Sequence, residues 1–590
     1  MKLPVSFSIA LAACLIAVAS SKAQPSPTKS PELTPAEKWV LDQVAAGRPA
    51  DLSELFPEAE KEKRKLTAHF LENLLAGTII EARAQRNFLV IVDATIEGTV
   101  NLRGAQIPWD LSLNGCEFTS AVTFFGVHFL RPVSFRGTTF KQDANFSSAK
   151  FEGHAFFRKT VFGGSVNFSF AEIIGNLEAD DAQFKNPQAL ITFNTLKVKQ
   201  NALFRRATFD GTVNFEAANI GISFDATGAR FNNKEEAVKF SGIEIGRAMH
   251  LENTIFEGSA NFNEAQIRFH FQADGAEFRS ENAAVLNVKC GGDGFFAGVR
   301  FSGPADFTAS HFRSLGIGAK ERETPPIRQL FLSNVTIRDL LIIRNVSIQE
   351  LIALSLKVEG SATFTDVTIQ QEADLSYSNF TVLDLARTSW PTNNMNGRKF
   401  RMQGIGYKYI RLEEDGLESR SALLNLVGQS GYAADVYNNL EEFFLRQGYR
   451  EDADRAFIAR KRRERNDLPR WRPAWLGSLT LDLLVGYGRH PWQAGVPCVF
   501  FVALGCLLFS REKMERQKPE ELKEGQDPLH GYSRLWYSLG LFLPFVDLKS
   551  DRIWKPKDER WFLRHYMRVH ILLGWVLIPV LLAAISGLIK

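Results

Sequence analysis

Residues 144–157 read ANFSSAKFEGHAFF, and the spacing of the phenylalanines in this stretch decides the fold. Phe151 follows Phe146 by five positions, and Phe157 follows Phe151 by six. An α-helix repeats its apolar residues every three or four positions and an ordinary strand every second one, so this alternation fits neither. It predicts a chain that turns a corner about every five residues and sends one large side chain inward on each side.

Two series of large apolar residues extend this spacing through the first part of the chain. The first series advances by eleven residues and consists of Ile96, Ile107, Phe118, Phe129, Phe140, Phe151, Phe162, Ile173 and Phe184. The second series is offset from it by five or six and consists of Leu102, Leu113, Phe124, Phe135, Phe146, Phe157 and Phe168. Such a sustained register predicts an internal structural repeat.

Triplets of Ala, then Asn or Asp, then Phe or Leu recur along the chain. They are Ala144-Asn145-Phe146, Ala260-Asn261-Phe262, Ala305-Asp306-Phe307 and Ala373-Asp374-Leu375. With these triplets the sequence resembles the pentapeptide-repeat proteins, and the resemblance implies a mainly β fold, a right-handed, four-sided β-solenoid. One extra residue in every second pentad gives about 22 residues per coil rather than 20, which predicts local bulges.

The content of Phe and Cys and the net charge indicate which partners and which chemistry to expect. Phe is unusually frequent, with 48 residues against 10 Tyr, which favours an interior of stacked rings. The net charge of +4 gives no reason to expect a nucleic acid partner, and it differs from the strongly acidic pentapeptide proteins that imitate DNA. The five Cys show no metal-ligand or disulfide spacing, so they are predicted to be free, buried thiols.

The N-terminus has the form of a secretory signal peptide over residues 1–23, cleaved after Ala23. A lipidation site at Cys14 and an uncleaved anchor are the alternatives. Residues 24–33 form a Pro/Ser linker. Residues 34–88 are predicted to be a helical N-terminal cap, because Thr34 and Glu37 form a capping box that starts a helix through about Ala46. A second helix is expected near 60–76.

The solenoid is predicted to occupy residues 89–396. Insertions interrupt its register near 185–190, 232–237, 280–294 and 314–328, and we expect them to emerge as loops from one edge. Loops of this kind usually carry the binding surface of a solenoid. The candidate partner loop is the last one, with residues Lys320, Glu321, Arg322 and Glu323. Tolerated surface insertions are the alternative interpretation.

Residues 397–475 are predicted to be a helical C-terminal cap with a basic end. The expected helices are Leu417–Val427, Ala433–Gln447 and Glu451–Arg465. The basic end is predicted to contact the membrane surface, with aromatic anchors, through Arg460, Lys461, Arg462, Arg463, Trp471, Arg472 and Trp475. The alternative is a solvated helix end that complements the helix dipole.

Residues 476–590 are predicted to be a membrane domain. Ala494–Ser510 and Ile571–Ile589 carry no charge and are long enough to span a bilayer, whereas Leu535–Val546 is short and is expected to be interfacial or re-entrant. The tail resembles that of a group of bacterial membrane-anchored proteins with pentapeptide-like repeats, on motifs such as Gly486-Tyr487-Gly488. Some of these relatives carry an oxidoreductase label, but the resemblance brings no established activity.

No constellation in the sequence predicts catalysis, a cofactor or a metal. The chain lacks a dinucleotide-binding Gly motif between a strand and a helix, a phosphate-binding loop and Cys-x-x-Cys. The histidines that precede large inward residues are interpreted as surface residues, and they are His128, His250, His270 and His311. Val485-Gly486-Tyr487-Gly488 is similar to a potassium filter, but it precedes the first span and is better explained as a turn leading into the membrane.

These patterns predict a non-enzymatic scaffold tethered to the inner membrane, with the bilayer and an unknown envelope protein as partners. A homo-oligomer is compatible with this prediction. The alternatives are an accessory protein for transport or a channel, with Leu535–Val546 re-entering the membrane, and an enzyme without a recognisable motif. The leader favours a periplasmic solenoid, and Arg511 and Lys513 in the loop between the spans agree with it. The basic run 460–472 argues against it.

Overall fold

The computed structural model describes residues 33–77, 88–319, 326–385, 387–391, 399–412, 417–518, 531–546 and 553–586. The predicted signal peptide, nearly all of the linker and the candidate partner loop at 320–323 lie outside these residues. The described chain forms a parallel β-solenoid of about 13 turns followed by helices. The predicted solenoid with coils of about 22 residues is therefore confirmed.

Each coil contributes one short strand to each of four faces, so the cross-section has four sides. Strands on a face pair in parallel with the equivalent strands of the coils before and after. Val133 pairs with Ala155, which sets the 22-residue step of a regular coil. Where a corner carries an insertion the step is longer, as between Leu177 and Ala202.

The strands follow one another around the four faces in a fixed order. Face one contains Ala50–Asp51, Phe88–Val92, Asp110–Asn114, Val133–Ser134, Ala155–Phe156, Leu177–Glu178, Ala202–Leu203, Phe224–Asp225, Ala248–His250, His270–Gln272 and Asp293–Ala297. Face two contains Lys65–Thr67, Thr95–Glu97, Glu117–Phe118, Thr139–Phe140, Val161–Phe162, Gln183–Phe184, Thr208–Phe209, Arg230–Phe231, Ile255–Phe256, Glu277–Phe278 and Arg300–Phe301. Face three contains Val100–Asn101, Val122–Thr123, Ala144–Asn145, Val166–Asn167, Leu190–Thr192, Thr212–Asn214, Val238–Lys239, Ala260–Asn261, Ala284–Val285 and Ala305–Asp306. Face four contains Gln106–Ile107, His128–Phe129, Lys150–Phe151, Glu172–Ile173, Lys197–Val198, Asn219–Ile220, Glu244–Ile245, Ala265–Ile267 and Val288–Cys290.

In the last coils the strands run continuously around the corners. They are His311–Gly318, Ile327–Phe331, Thr336–Ile352, Lys357–Asp374, Asn379–Asp384, Lys399–Arg401 and Gly406–Arg411. Their register shifts between Phe312 and Ser314 and between Ile348 and Glu350, so bulges of the predicted kind occur in this part. The final two strands extend the solenoid past its predicted end at residue 396, and the C-terminal cap begins later than expected.

The core is the two apolar series read from the sequence. All of their members are at most 4 % exposed. On face two the Phe rings stack from coil to coil, with centroids of Phe140 and Phe162 at 5.3 Å and of Phe184 and Phe209 at 4.6 Å. A second ladder runs through Phe146, whose ring lies 5.0 Å from Phe124 and 4.7 Å from Phe168. Each ring therefore packs against its equivalents in both neighbouring coils.

The four corners are of two kinds, and they alternate. At the first kind a four-residue turn is closed by a backbone hydrogen bond, such as Val127 N to Phe124 O at 3.1 Å, and its third residue has a positive φ. Glycine occupies this position at Gly104, Gly115, Gly126 and Gly137, eleven residues apart, but later coils place other residues there, including Phe170. At the second kind, such as 141–143, three residues join the strands. The extra residue of every second pentad lies at these corners.

Three of the four predicted insertions lie at the same second-kind corner, between faces two and three. They occupy residues 185–189, 232–237 and 279–283. The predicted insertion 280–294 contains the strands Ala284–Val285 and Val288–Cys290 and the start of Asp293–Ala297, and residues 314–318 and 327–328 are strand as well. The fourth break follows face one instead, because the chain leaves that face after Gly318 and forms the next strand at Ile327. The expectation that every insertion shares one edge is wrong for this break.

Helices and two short strands close the first coil. The helices are α1 (Pro35–Ala45), α2 (Leu52–Leu55), a 3-10 helix (Glu58–Lys63) and α3 (Ala68–Leu75), and the strands are Ala50–Asp51 and Lys65–Thr67. The Thr34–Glu37 capping box is present. The second helix begins only at Ala68, because Lys65–Thr67 pairs with Thr95–Glu97 and covers the open edge of face two.

The C-terminal part is helical. It contains α4 (Leu417–Gln429), α5 (Ala434–Arg446), α6 (Arg450–Asn466), α7 (Pro473–Val485), α8 (Gly495–Leu508), α9 (Arg534–Phe542) and α10 (Trp561–Ile585). Short 3-10 helices occupy Gly486–Gly488, Pro491–Ala494 and Arg511–Lys513, and Met514–Arg516 pairs antiparallel with Trp554–Pro556. The three predicted cap helices agree closely with α4, α5 and α6.

The ring ladder generates the first prediction. Phe146→Ala removes a fully buried ring between two stacked neighbours and should cost about 3–5 kcal/mol, because the cavity cannot collapse without moving adjacent coils. Lys150→Ala on the outer surface removes only an exposed pair with Glu152 and should cost less than about 1 kcal/mol. Thermal melts of the detergent-purified protein compare the two, and equal melting temperatures would contradict the inward assignment of Phe146.

The corners generate the second prediction. Gly126→Ala should destabilise the protein by about 1 kcal/mol, because the new Cβ has open space around it and only the left-handed backbone penalises it. Gly428→Ala is the matched control, since that glycine lies in α4 with equal space and no positive φ, and it should be neutral or stabilising. Melting temperatures that move in the same direction for both variants would count against the turn geometry.

Candidate functional site at the base of the solenoid

The helical hairpin of α5 and α6 seals the last coil. The ring of Phe443 packs against Tyr407 and Tyr409, with centroid distances of 6.0 and 5.8 Å. Asn439 donates its side-chain amide to the carbonyl of Ile405 at 2.6 Å. The apolar core consequently continues without interruption from α1 through the solenoid to Ala456 in α6.

A network of arginines and carboxylates joins this hairpin to the helices that follow. We call it the arginine junction, and it comprises Arg420, Arg455, Arg460, Lys461, Arg462, Arg463, Arg465 and Arg489 with Glu441, Asp452, Asp454, Glu464 and Asp482. Each of its acidic residues lies within 4 Å of at least one arginine. The junction thus connects α4, α5, α6, α7 and the turn before α8.

Asp482 in α7 is the most consequential carboxylate of the junction. It is almost completely buried and accepts hydrogen bonds from Arg462 at 3.0 Å and Arg465 at 2.8 Å. Burial alone would raise the pKa of this carboxyl, but the hydrogen bonds from Arg462 and Arg465 outweigh it and hold the pKa below its usual value. Asp482 is therefore ionised at neutral pH and fixes α7 to α6.

The turn after α7 is tied to the same cluster. Gly486, Tyr487 and Gly488 all have positive φ, which lets the chain reverse between α7 and α8. The Tyr487 hydroxyl lies 3.2 Å from Arg465 and 2.8 Å from Ser478. These contacts hold the turn immediately before the first long apolar helix.

Two further arginines of the arginine junction also have specific partners. Arg463 donates to the carbonyls of Gly428 and Ser430 at the end of α4 and to the Tyr437 hydroxyl. Arg489 binds Glu441 at 2.6 Å and Asp454 at 3.0 Å.

The residues predicted to contact the membrane surface divide into two groups. Arg460, Lys461, Arg462 and Arg463 take part in the junction, with Lys461 paired to Glu464 at 2.7 Å. Trp471, by contrast, is 80 % exposed, and the Arg472 guanidinium lies 5.7 Å from its ring centroid. Trp475 is half-buried on α7. The basic side chains of this part of α6 are thus engaged with protein partners, whereas Arg472 lies beside the exposed Trp471.

Two helices are apolar and long enough to cross a membrane, over Pro491–Leu508 and Trp561–Ala583. The first matches the predicted span at 494–510. The second helix starts ten residues before the predicted span at 571–589, because the sequence criterion of no charge excluded Arg564 and Arg568. Residues 587–590 lie outside the described chain.

Helix α9, inside the segment predicted to be interfacial or re-entrant, packs between these two helices. Ser538 donates to the Val502 carbonyl of α8 at 2.8 Å, and its hydroxyl lies 3.2 Å from His570 of α10. A side chain at Gly505 would collide with Ser538, and one at Gly574 would collide with the carbonyl of Phe542. Glycine is needed at both positions for this close approach. Sequence reasoning missed His570, which is fully buried here.

The histidines and cysteines of the solenoid are the other candidates for chemistry. His250 pairs in register with Gln272 and not with His270, so the two histidines do not align. Within the described ranges, no group of three or more His, Cys, Asp or Glu could hold a metal ion. Burial raises the pKa of the Cys116 thiol to about 12 and that of Cys290 to about 11, which leaves both thiols unreactive at neutral pH.

Comparison with known proteins bears on the solenoid. A family model described as "Pentapeptide repeats (9 copies)" matches residues 124–172, which include the ladder around Phe146. This segment is thus similar to pentapeptide repeats. No curated protein and no solved structure matches the chain significantly. The pentapeptide-repeat resemblance is thus confirmed, while the narrower resemblance of the tail rests on the two apolar helices alone.

The junction generates the third prediction. Asp482→Asn leaves Arg462 and Arg465 without their shared carboxylate and should destabilise the contact between α6 and α7 by about 3 kcal/mol. Because the folded pKa is lowered, the carboxylate stabilises the wild type above its unfolded pKa of about 4, and this is lost as pH falls through the folded value. After correction for the intrinsic exchange rate, hydrogen exchange in α7 should therefore speed up in the variant at pH 7, and in the wild type only at pH values below the unfolded pKa.

Asp339→Asn is the control. Asp339 is exposed, and its ion pair with Arg313 is long, at 4.0 Å. It should change hydrogen exchange in α7 negligibly. Unchanged protection of α7 in Asp482→Asn at pH 7 would show that the ion pairs do not hold the junction.

Proposed function

We propose that the protein is a non-enzymatic scaffold that holds a pentapeptide-repeat solenoid at a fixed position on the bacterial inner membrane. The observation that carries the proposal is that the solenoid is packed and ion-paired to the C-terminal helices without a break. A single core runs from Ala36 to Ala456, and the arginine junction ties its end to helices with apolar outer surfaces. A partner bound to the solenoid would consequently be positioned relative to the bilayer.

The surface of the last helices supports the anchor. Large apolar side chains point outward from α8 and α10, including Val499, Leu507, Leu572 and Trp575. The polar groups of Ser538 and His570 face inward instead. Apolar residues outside, polar residues inside and glycines at close helix contacts are the arrangement that a bilayer favours. Helix α7 adds exposed Leu476 and Leu483 beside the two spans.

The insertions between faces two and three form the proposed partner surface. In the next coil each insertion packs against a glycine, namely Gly211, Gly258 or Gly303, where a Cβ would collide with the insertion's carbonyl oxygens. The backbone of each insertion is therefore supported from one side. The insertions recur every second coil, or about 10 Å apart, which suits an extended envelope protein. We include the candidate partner loop at 320–323 in the proposed partner surface. The proposal is also compatible with a homo-oligomer.

We propose that the solenoid lies in the periplasm. The predicted leader supports this orientation, and so does the basic segment after α8, which contains Arg511, Lys513 and Arg516. The basic run on α6 opposes it less than its sequence suggests, because Asp482 and Glu464 partly neutralise that run.

Helix α9 favours a second function, in an accessory subunit of a transporter or channel. It begins at Arg534, near Cys506 at the end of α8, and reaches Phe542, which packs with Cys498 and Leu577. A helix that penetrates part of the bilayer between two spans is typical of transport proteins. The scaffold accounts for more of the chain than the transport function does. In the scaffold, α9 would hold α8 and α10 together through its contacts with both helices.

Cysteine labelling tests the anchor and its orientation, and provides the fourth prediction. In a background with Cys506→Ser, Lys234→Cys on an insertion should react with an impermeant maleimide in intact spheroplasts. Glu512→Cys, between the spans, should react only after lysis.

The reverse labelling pattern would move the solenoid and its partner to the cytoplasm. Reaction of both cysteines in intact spheroplasts would refute two spans with an internal loop. In either case the scaffold would need a different attachment to the membrane, or a different partner.

A further inference from the structure

An open cavity of about 780 Å³ lies between α4, α6 and the turn that precedes α8. Its basic lining residues are Arg455, Arg462, Arg463 and His490. Carboxamides supply most of the other polar groups, as at Asn425 and Gln493. None of the described residues that line the cavity is Asp or Glu. The lining thus offers hydrogen-bond donors and positive charge, and it contributes no carboxylate of its own.

Two carboxylates outside the lining balance these arginines only in part. Asp452 is shared between Arg420 and Arg455, at 2.7 and 3.1 Å. Asp482 is likewise shared between Arg462 and Arg465.

Arg463 adds a further charge to this excess. Within the described chain, its guanidinium donates to neutral acceptors, two carbonyls and the Tyr437 hydroxyl. The three arginines of the lining are therefore balanced only in part, because Arg420 and Arg465 share the two aspartates with them.

The cavity also lies where the chain approaches the proposed membrane. His490 and Gln493 flank the start of the first candidate span at Pro491, and Trp492 between them is exposed. Aromatic residues at this position in a helix typically mark the headgroup layer. A phosphate at headgroup depth would consequently be within reach of the arginines.

We propose that this cavity binds the phosphate group of an anionic ligand, from a phospholipid headgroup or from a soluble phosphate compound. Guanidinium groups bind phosphate through paired, charge-assisted hydrogen bonds, and the carboxamides can donate to its remaining oxygens. The ligand would bridge α4, α6 and the turn before the first span. This site adds a ligand to the proposed scaffold and does not depend on the partner surface.

The fifth prediction tests the cavity with full-length protein in zwitterionic detergent. Melting temperature is titrated with short-chain phosphatidylglycerol, with phosphatidylcholine, and with inorganic phosphate against chloride at equal ionic strength. Wild type should be stabilised by phosphatidylglycerol, by inorganic phosphate or by both, but not by phosphatidylcholine. Arg455→Gln combined with Gln493→Glu should weaken the apparent affinity at least about tenfold, a loss of about 1.4 kcal/mol.

Arg470→Gln combined with Gln447→Glu is the matched control. It makes the same charge change at exposed positions outside the cavity and should keep affinity within about twofold. If the cavity variant does not fold, Asn466→Asp alone adds a carboxylate to the lining and should also weaken binding. Phosphatidylglycerol binding without a phosphate effect identifies a lipid site, whereas protection by phosphate identifies a soluble ligand.

Three outcomes would overturn the site. They are no stabilisation by phosphatidylglycerol or phosphate, wild-type affinity in the cavity variants, and equal loss in the control variant. The last would indicate general surface electrostatics. Each is independent of the labelling pattern that tests the anchor, so the two proposals can fail separately.

Discussion

The structure depends on one constraint, which is that every side of a coil must place its large apolar residue directly over that of the previous coil. Phe140 lies over Phe118 and under Phe162, and the backbone hydrogen bonds between coils fix the same step. A change in coil length is tolerated only where it leaves the stacked positions in place. The insertions between faces two and three satisfy this condition because they fall in a corner.

The arginine junction extends this order beyond the solenoid by a different kind of interaction. The apolar core ends near Ala456, and Asp482 then provides the contact between α6 and α7. Hydrophobic packing continues here only as a small cluster of Phe457 and Ile458 with Tyr487, while Leu476 and Leu483 of α7 face outward. Charged hydrogen bonds hold one face of α7 against α6, while the opposite face of α7 stays apolar.

Sequence reasoning was most successful where a pattern is local and periodic. The ladder around Phe146, the capping box at Thr34 and the three cap helices follow from spacing alone. The left-handed corners had a visible signal in the glycines eleven residues apart, but Phe170 and its equivalents hide it. Asp482 and His570 could not be recognised, because their partners are brought close only by the packing of separate helices.

The repeat also sets a distance along the solenoid. Because each coil contacts only its neighbours, the separation of an insertion from the C-terminal helices is set by the number of coils between them, in steps of about 4.8 Å. Adding a coil after Arg300 would move all three insertions away from these helices together, whereas adding one before Phe184 would leave their separation unchanged. Duplication of whole repeats would therefore change the reach of the proposed scaffold without altering the C-terminal helices or the insertions.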